Sequence, residues 1–223
     1  MDLTDIAMYC KIKQSEREAD KYKQQSDSYE SVLTGEVTEF VIPDRWTVIR
    51  VGAFENCKGL KSIYIPDSIK NIDVRAFYNC ISLKSLNIPN SVTTISASAL
   101  SQCISLKSLN IPNSVTTINY RAFYGCTSLT DIIIPSSIIS LGVDVFTNCS
   151  KLTNVTLSDG FNCNGLNLSA STRYSVDTLV AMLTALVDRT GQTAYTLTLG
   201  TTNLAKLSDA QKAIATDKNW TLA

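Results

Sequence analysis

The chain has 223 residues, 20 basic against 20 acidic side chains, an apolar fraction of 44% and no histidine. That length can bury a real core as one large domain or two small ones. Balanced charge, with no local basic patch, argues against nucleic acid as a partner. Without histidine there is no Ser-His or Cys-His pair and no imidazole base or metal ligand, which excludes most familiar hydrolase chemistry.

Residues 1–34 carry seven acidic and five basic side chains and neither glycine nor proline. This predicts a polar helix broken at Gly35. Met8, Ile12, Ala19, Tyr22, Tyr29 and Leu33 approximate a heptad seam that Ser15 and Ser26 interrupt, so the helix is expected either to cap the domain after it or to join copies as an oligomerisation stalk. The first residues lack the basic and apolar regions of a secretory leader, and the last carry no hydrophobic anchor. The expectation is a cytoplasmic or virion-associated protein that reaches a cell surface only by another route. No run approaches roughly 20 apolar residues, so membrane insertion is not expected. Seven cysteines, an odd number without a leader, point to thiols rather than disulfides.

From residue 35 to 159 the chain is periodic. Pro43, Pro66, Pro89, Pro112 and Pro135 fall 23 residues apart, as do Cys57, Cys80, Cys103, Cys126 and Cys149, and as do Phe54, Phe77, Leu100, Phe123 and Phe146. The segment Cys80 to Ile95 recurs letter for letter from Cys103 to Ile118. Within each unit Ile63 and Ile65, Leu86 and Ile88, Leu109 and Ile111, Ile132 and Ile134, or Val155 and Leu157 alternate with polar residues, which predicts a strand that the proline ends. A second short extended piece comes next, holding Ile69 and Ile72 or their equivalents. The A-F-x-x-C segment spaces its apolar residues for one helical or 3₁₀ turn. Asn56, Asn79, Gly125 and Asn148 precede the cysteine, where a left-handed exit suits Asn and Gly, and Gln102 departs from that rule.

A unit of this size cannot bury its apolar side alone, so units must stack their strands in a parallel sheet. Six such strands are expected, ending at Ile42 through Leu157. The pattern L-x-x-I-x-I-P-x-S-V-x-x-I-x-x-x-A-F-x-x-C resembles the BspA-type leucine-rich repeats of bacterial surface and prophage-associated proteins. The resemblance implies an α/β leucine-rich-repeat solenoid with a parallel sheet, an N-terminal helix and an α-containing C-terminal cap.

Residues 160–223 lose the period. Ser175 can cap a helix with the stripe Val176, Leu179, Val180, Leu183, Leu186 and Val187, ending at Arg189 and Gly191. Beyond it come a strand at Tyr195–Leu199, a capping box at Ser208 and Gln211 with a helix to about Asp217, and a strand at Trp220–Leu222. This tail is expected to extend the same sheet and to seal its edge. From Leu166 onward it resembles a terminal module found on repeat proteins of gut bacteria and their prophage tails.

The cysteine ladder is the most tempting chemical signal, yet parallel side chains aimed into a core neither face each other for disulfides nor converge on zinc. Asp67, Asp73, Asp131 and Asp144 are scattered and form no carboxylate pair. No nucleotide-binding glycine motif occurs. The expectation is therefore no enzymatic activity, no cofactor and no metal.

What remains is the outward strand face, with Lys61, Lys84 and Lys107 beside Ser62, Ser85, Ser108 and Asp131, and Tyr64, Asn87 and Asn110 in the next column. Hydroxyl and amide groups in register can hydrogen-bond an extended ligand. The face is either a solvated repeat surface or a binding surface for a protein or glycan on a host or cell surface. A structural accessory role in a prophage tail or virion is the alternative, and an enzyme working without histidine the remote one.

Overall fold

The computed structural model describes residues 38–223. The polar helix expected over 1–34 lies outside the described residues. Each repeat contributes up to two short strands in chain order: β1 (Glu39–Val41) and β2 (Val48–Ile49), β3 (Ser62–Tyr64) and β4 (Asn71–Ile72), then β5 (Thr94–Ile95) alone. β6 (Ser108–Asn110) and β7 (Thr117–Ile118), β8 (Asp131–Ile134) and β9 (Ser140–Leu141), and finally β10 (Asn154–Leu157) complete the periodic part.

Every pairing in this part is parallel and steps by 23 residues. One wall is the five-stranded sheet β2-β4-β5-β7-β9, whose register aligns Ile49, Ile72, Ile95, Ile118 and Leu141. The other wall, expected as six continuous strands, is divided into β1-β3 and β10-β8-β6. Residues 84–88 form no strand, although their sequence is identical to that of 107–111. Local propensity cannot be the cause, so the difference comes from the neighbours: β6 lies against the four-residue β8, whereas 84–88 lies between β3 and β6. The hydrophobic column is unaffected, since Leu86 and Ile88 remain buried.

The A-F-x-x-C segments form turns rather than helix. Hydrogen bonds of the i to i−3 kind close them, such as Ala76 N to Asp73 O and Cys80 N to Phe77 O, at 3.1 and 3.2 Å. Alternate amides also reach the next repeat: Gly52, Phe54 and Asn56 N donate to Val74, Ala76 and Tyr78 O at 3.0, 2.8 and 2.8 Å. This third wall satisfies backbone groups that a helix would have used internally. It requires left-handed residues twice per turn. The exit is left-handed at Asn56, Asn79, Gly125 and Asn148 as expected, and also at Gln102 (φ 63°). A second left-handed column, Gly52, Arg75, Ser98, Arg121 and Asp144, was not evident from residue types.

The core runs between the walls. Phe54 stacks on Phe77 with centroids 5.3 Å apart, and Phe123 on Phe146 at 5.5 Å, with Leu100 between the two pairs. The column cysteines are buried thiols. Cys80, Cys103, Cys126 and Cys149 Sγ donate to the carbonyls of Phe54, Phe77, Leu100 and Phe123 at 3.0 to 3.3 Å. Burial pushes the Cys149 thiol up to about 12 and holds Cys103 and Cys126 well above the ordinary value. The column is structural: it supplies a weak donor to a carbonyl of the preceding repeat.

After β10 come β11 (Leu166–Asn167), α1 (Val176–Ala185), β12 (Tyr195–Thr198), α2 (Thr201–Leu204), α3 (Asp209–Thr216) and β13 (Trp220–Leu222). Ser175 caps α1 and the Ser208/Gln211 capping box opens α3, as expected. Three points differ. The strands form their own parallel sheet, β11-β12-β13, instead of prolonging the repeat sheet, while α1 packs on β10. α2 was not anticipated. The first helix stops at Ala185 because Leu186 turns extended (ψ 137°) and bridges to Phe161, and Lys218 Nζ donates to Thr184 and Leu186 O at 2.7 and 2.9 Å. A lysine at the helix C-terminus thus takes carbonyls the helix leaves open.

Candidate functional site

The outward face of the first wall is built by alternation: Ile63, Leu109, Ile132 and Val155 point in, so their strand neighbours point out. Register places Glu39 beside Ser62 and Val41 beside Tyr64 in one sheet. In the other it places Ser108, Asp131 and Asn154 side by side, and Asn110 beside Ile133 and Thr156. Ser85, Asn87, Ser108 and Asn110 are exposed, Tyr64 is 60% exposed, and Ser62 and Asp131 are half-buried. Ser85 and Asn87 were expected on a strand. They lie in the 84–88 gap, so they share the face without sharing its strand ladder.

The lysine column survives the gap. Lys84 N donates to Lys61 O at 3.0 Å and Lys107 N to Lys84 O at 3.3 Å, after which Thr130 N donates to Lys107 O at 2.8 Å. All three side chains are exposed. None of them joins an ion pair among the described residues.

Asp131 differs from the serines of its column. Its carboxylate accepts from Thr130 Oγ1 and from Asn154 Nδ2, the latter at 2.6 Å. The Thr130 hydroxyl, with Asn154 second, holds the carboxyl below the ordinary aspartate value. Sequence reasoning named Asp131 without these two partners. Asn154 was legible as the residue 23 positions on, but not Thr130, which precedes β8 and whose side-chain direction strand alternation does not set.

The third wall treats charge differently. Arg75 pairs with Glu55 at 2.7 Å and Arg121 with Asp144 at 3.3 Å, and both guanidinium groups lie over tyrosine rings of their own repeats. There every arginine named is matched across repeats by a carboxylate. Among the described residues no three His, Cys, Asp or Glu side chains are grouped so as to hold a metal ion.

A family model for the BspA type leucine-rich repeat region matches residues 26–153 in six copies. The chain belongs to this family. A leucine-rich cell surface protein from Faecalibacterium prausnitzii is 38% identical over 55% of this chain and 32% of its own, with a TM-score of 0.54. A leucine-rich repeat protein from Eubacterium ventriosum is 32% identical over 61% and 37%, with a TM-score of 0.56. This BspA-type chain therefore spans only about a third of either relative. The leucine-rich repeat protein of Treponema pallidum, at 23% identity and a TM-score of 0.56 over 84% of this chain, shares the fold. No curated protein matches the chain.

Proposed function

We propose that this BspA-type chain is a non-catalytic binding module that presents the outward face of its first wall to a macromolecule on a cell surface. The observation that carries the reading is a set of exposed, chemically repeated polar side chains, in parallel register on either side of the 84–88 gap, over a continuous buried core. Groups already held in place cost less to order on binding than groups on free loops. Two of the carboxylates in the repeats are engaged in other contacts: Asp144 with Arg121, and Asp131 with Thr130 and Asn154. The cell-surface description of the Faecalibacterium relative supports the location.

The test is an array of host glycans and extracellular-matrix proteins probed with the wild type and with the Tyr64→Glu/Asn87→Glu/Asn110→Glu variant. Those three side chains are exposed, so the variant should keep its circular dichroism and melting temperature while losing the bound partner. Binding that survives the triple change refutes the use of this face.

A further inference from the structure

Resting on that reading of the face, we infer that its partner is an extended anionic polysaccharide, seated along the stripe Lys61, Lys84 and Lys107. Three observations converge on it.

Among the described residues the stripe is uncompensated. In a chain with 20 positive and 20 negative side chains, three exposed lysines stack one per repeat without an ion pair among the described residues. Like charges directly opposite each other on neighbouring strands are destabilising. The third wall avoids that arrangement by pairing Arg75 with Glu55 and Arg121 with Asp144 across repeats. A cationic row that has no ion pair among the described residues, on one wall of a protein that pairs arginines with carboxylates on another, is complementary to a ligand with anions repeated along its length.

The stripe is also the part of the face whose spacing is kept. Backbone hydrogen bonds run from Lys107 N to Lys84 O and from Lys84 N to Lys61 O, across the repeat in which the strand ladder is interrupted. The three ammonium groups thus hang from one unbroken backbone series. Asp131, the acid near the end of the stripe, has its carboxylate engaged by Thr130 Oγ1 and Asn154 Nδ2 and joins no ion pair with a lysine among the described residues.

The surroundings favour sugar over peptide. A peptide adding as a strand needs an open sheet edge, whereas the lysines, serines and asparagines project from a sheet face, with ladders on both sides of the 84–88 gap. Beside the lysines stand hydroxyls at Ser62, Ser85 and Ser108, amides at Asn87 and Asn110, and the ring of Tyr64, 60% exposed. Hydroxyls and amides match the donor and acceptor pattern of sugar hydroxyls. The tyrosine offers an amphipathic platform with one polar tip.

The experiment measures binding of the full chain to heparin (sulfated), polygalacturonate (carboxylated), poly-L-glutamate and neutral dextran over a range of salt. It compares the wild type with Lys61→Gln/Lys84→Gln/Lys107→Gln and with the exposed off-stripe set Lys58→Gln/Lys70→Gln/Lys151→Gln. Expected is binding to one or both acidic polysaccharides, at least a tenfold loss in the stripe variant, and a change of less than about twofold in the off-stripe set. The slope of log affinity against log salt should flatten by about 2 to 3, as for three released counterions. Equal losses in the two variants, absence of binding to both acidic polysaccharides at low salt, or poly-L-glutamate binding as tightly as either, each overturns the inference. If neither acidic polysaccharide binds while another partner still depends on Tyr64, Asn87 and Asn110, the inference fails and the binding-face reading stands. If the stripe variant loses polysaccharide and the Tyr64/Asn87/Asn110 variant does not, the stripe stands and the wider face reading fails.

Discussion

Replacing Phe123 by alanine tests whether the aromatic column holds neighbouring repeats together. The side chain is fully buried and stacks on Phe146 with centroids 5.5 Å apart and planes 16° from parallel. Alanine keeps the backbone bond from residue 123 N to Val145 O, and the carbonyl that accepts the Cys149 thiol, so the change removes packing alone. Burying such a ring contributes about 1.5 to 3 kcal/mol, and the ring pair about 0.5 to 1.5 more. With the residual cavity the expected loss is about 3 to 5 kcal/mol. At a urea dependence of about 2 to 3 kcal/mol per molar, the unfolding midpoint falls by about 1 to 2.5 M. Lys107→Ala, at an exposed position, should stay within about 0.5 kcal/mol. Trp46 and Trp220 are buried near opposite ends of the described chain and allow each end to be followed by fluorescence. Retaining one tryptophan at a time shows whether the weakened interface splits the array into two transitions, as nearest-neighbour coupling between repeats permits. Equal midpoints for Phe123→Ala and Lys107→Ala would refute the assignment of inward and outward positions.

The same geometry carries three further outcomes. With its thiol pushed up to about 12, Cys149 is only about one part in ten thousand thiolate at pH 8, so native labelling of the column cysteines should be far slower than after unfolding, and rapid labelling at three or more of them contradicts their burial. Asp131 should titrate below the ordinary aspartate range by carbon NMR, and Thr130→Val should raise its midpoint. Because the folded value is the depressed one, the stabilisation is present above the unfolded value of about 3.9 and is lost as pH falls through the folded value, and an unchanged midpoint in the variant removes the assigned cause. Gly142→Ala should cost at least about 1 to 3 kcal/mol in thermal or urea unfolding, because the added methyl would sit 2.2 Å from Tyr120 N, a backbone atom that cannot swing away; an unaltered midpoint would show that the two repeats separate easily there.

What the sequence made legible is what repeats. A 23-residue period in Pro, Cys, Phe and Leu fixes which residues are inside, because stacking gives each column one environment. Hence the period alone places Cys103 and Phe77 in the core, where both are fully buried. The left-handed position before each cysteine was readable from Asn and Gly. The same conformation four residues earlier was not, since Arg75, Ser98, Arg121 and Asp144 are ordinary side chains held there by cross-repeat bonds on either flank. The tail was legible in its caps, which are local, and misread where tertiary contacts decide. Leu186 continues the apolar stripe of α1 yet leaves the helix to pair with Phe161. Arg189, expected at the helix end, is buried instead, with its guanidinium 3.4 Å above the Tyr195 ring and Nη1 donating to Asn162 Oδ1 at 2.6 Å. Of the candidate site, the exposed residue types were readable. Of the two carboxylate partners of Asp131, Asn154 follows from the 23-residue step, whereas Thr130, the residue just before it in the chain, does not.

The duplicated segment separates two kinds of order on the candidate face. Residues 80–95 and 103–118 have the same sequence and bury the same side chains, yet β6 forms at Ser108–Asn110 and no strand forms at 84–88. Burial of Leu86 and Ile88 is therefore enough to seat the repeat, and the ladder is a further, context-dependent gain from a neighbour such as β8. Ser85 and Asn87 then sit in the least laced part of the face, and a ligand engaging them must fix backbone that no strand ladder holds, unlike that of the flanking strands. Lys84 is spared this, since its amide and carbonyl remain bonded to Lys61 and Lys107. A ligand read by charge along the lysines meets an unbroken row, whereas one read by hydrogen bonds across Tyr64, Asn87 and Asn110 meets a row interrupted in its middle. Of the two, the row of charges is the better prepared to bind.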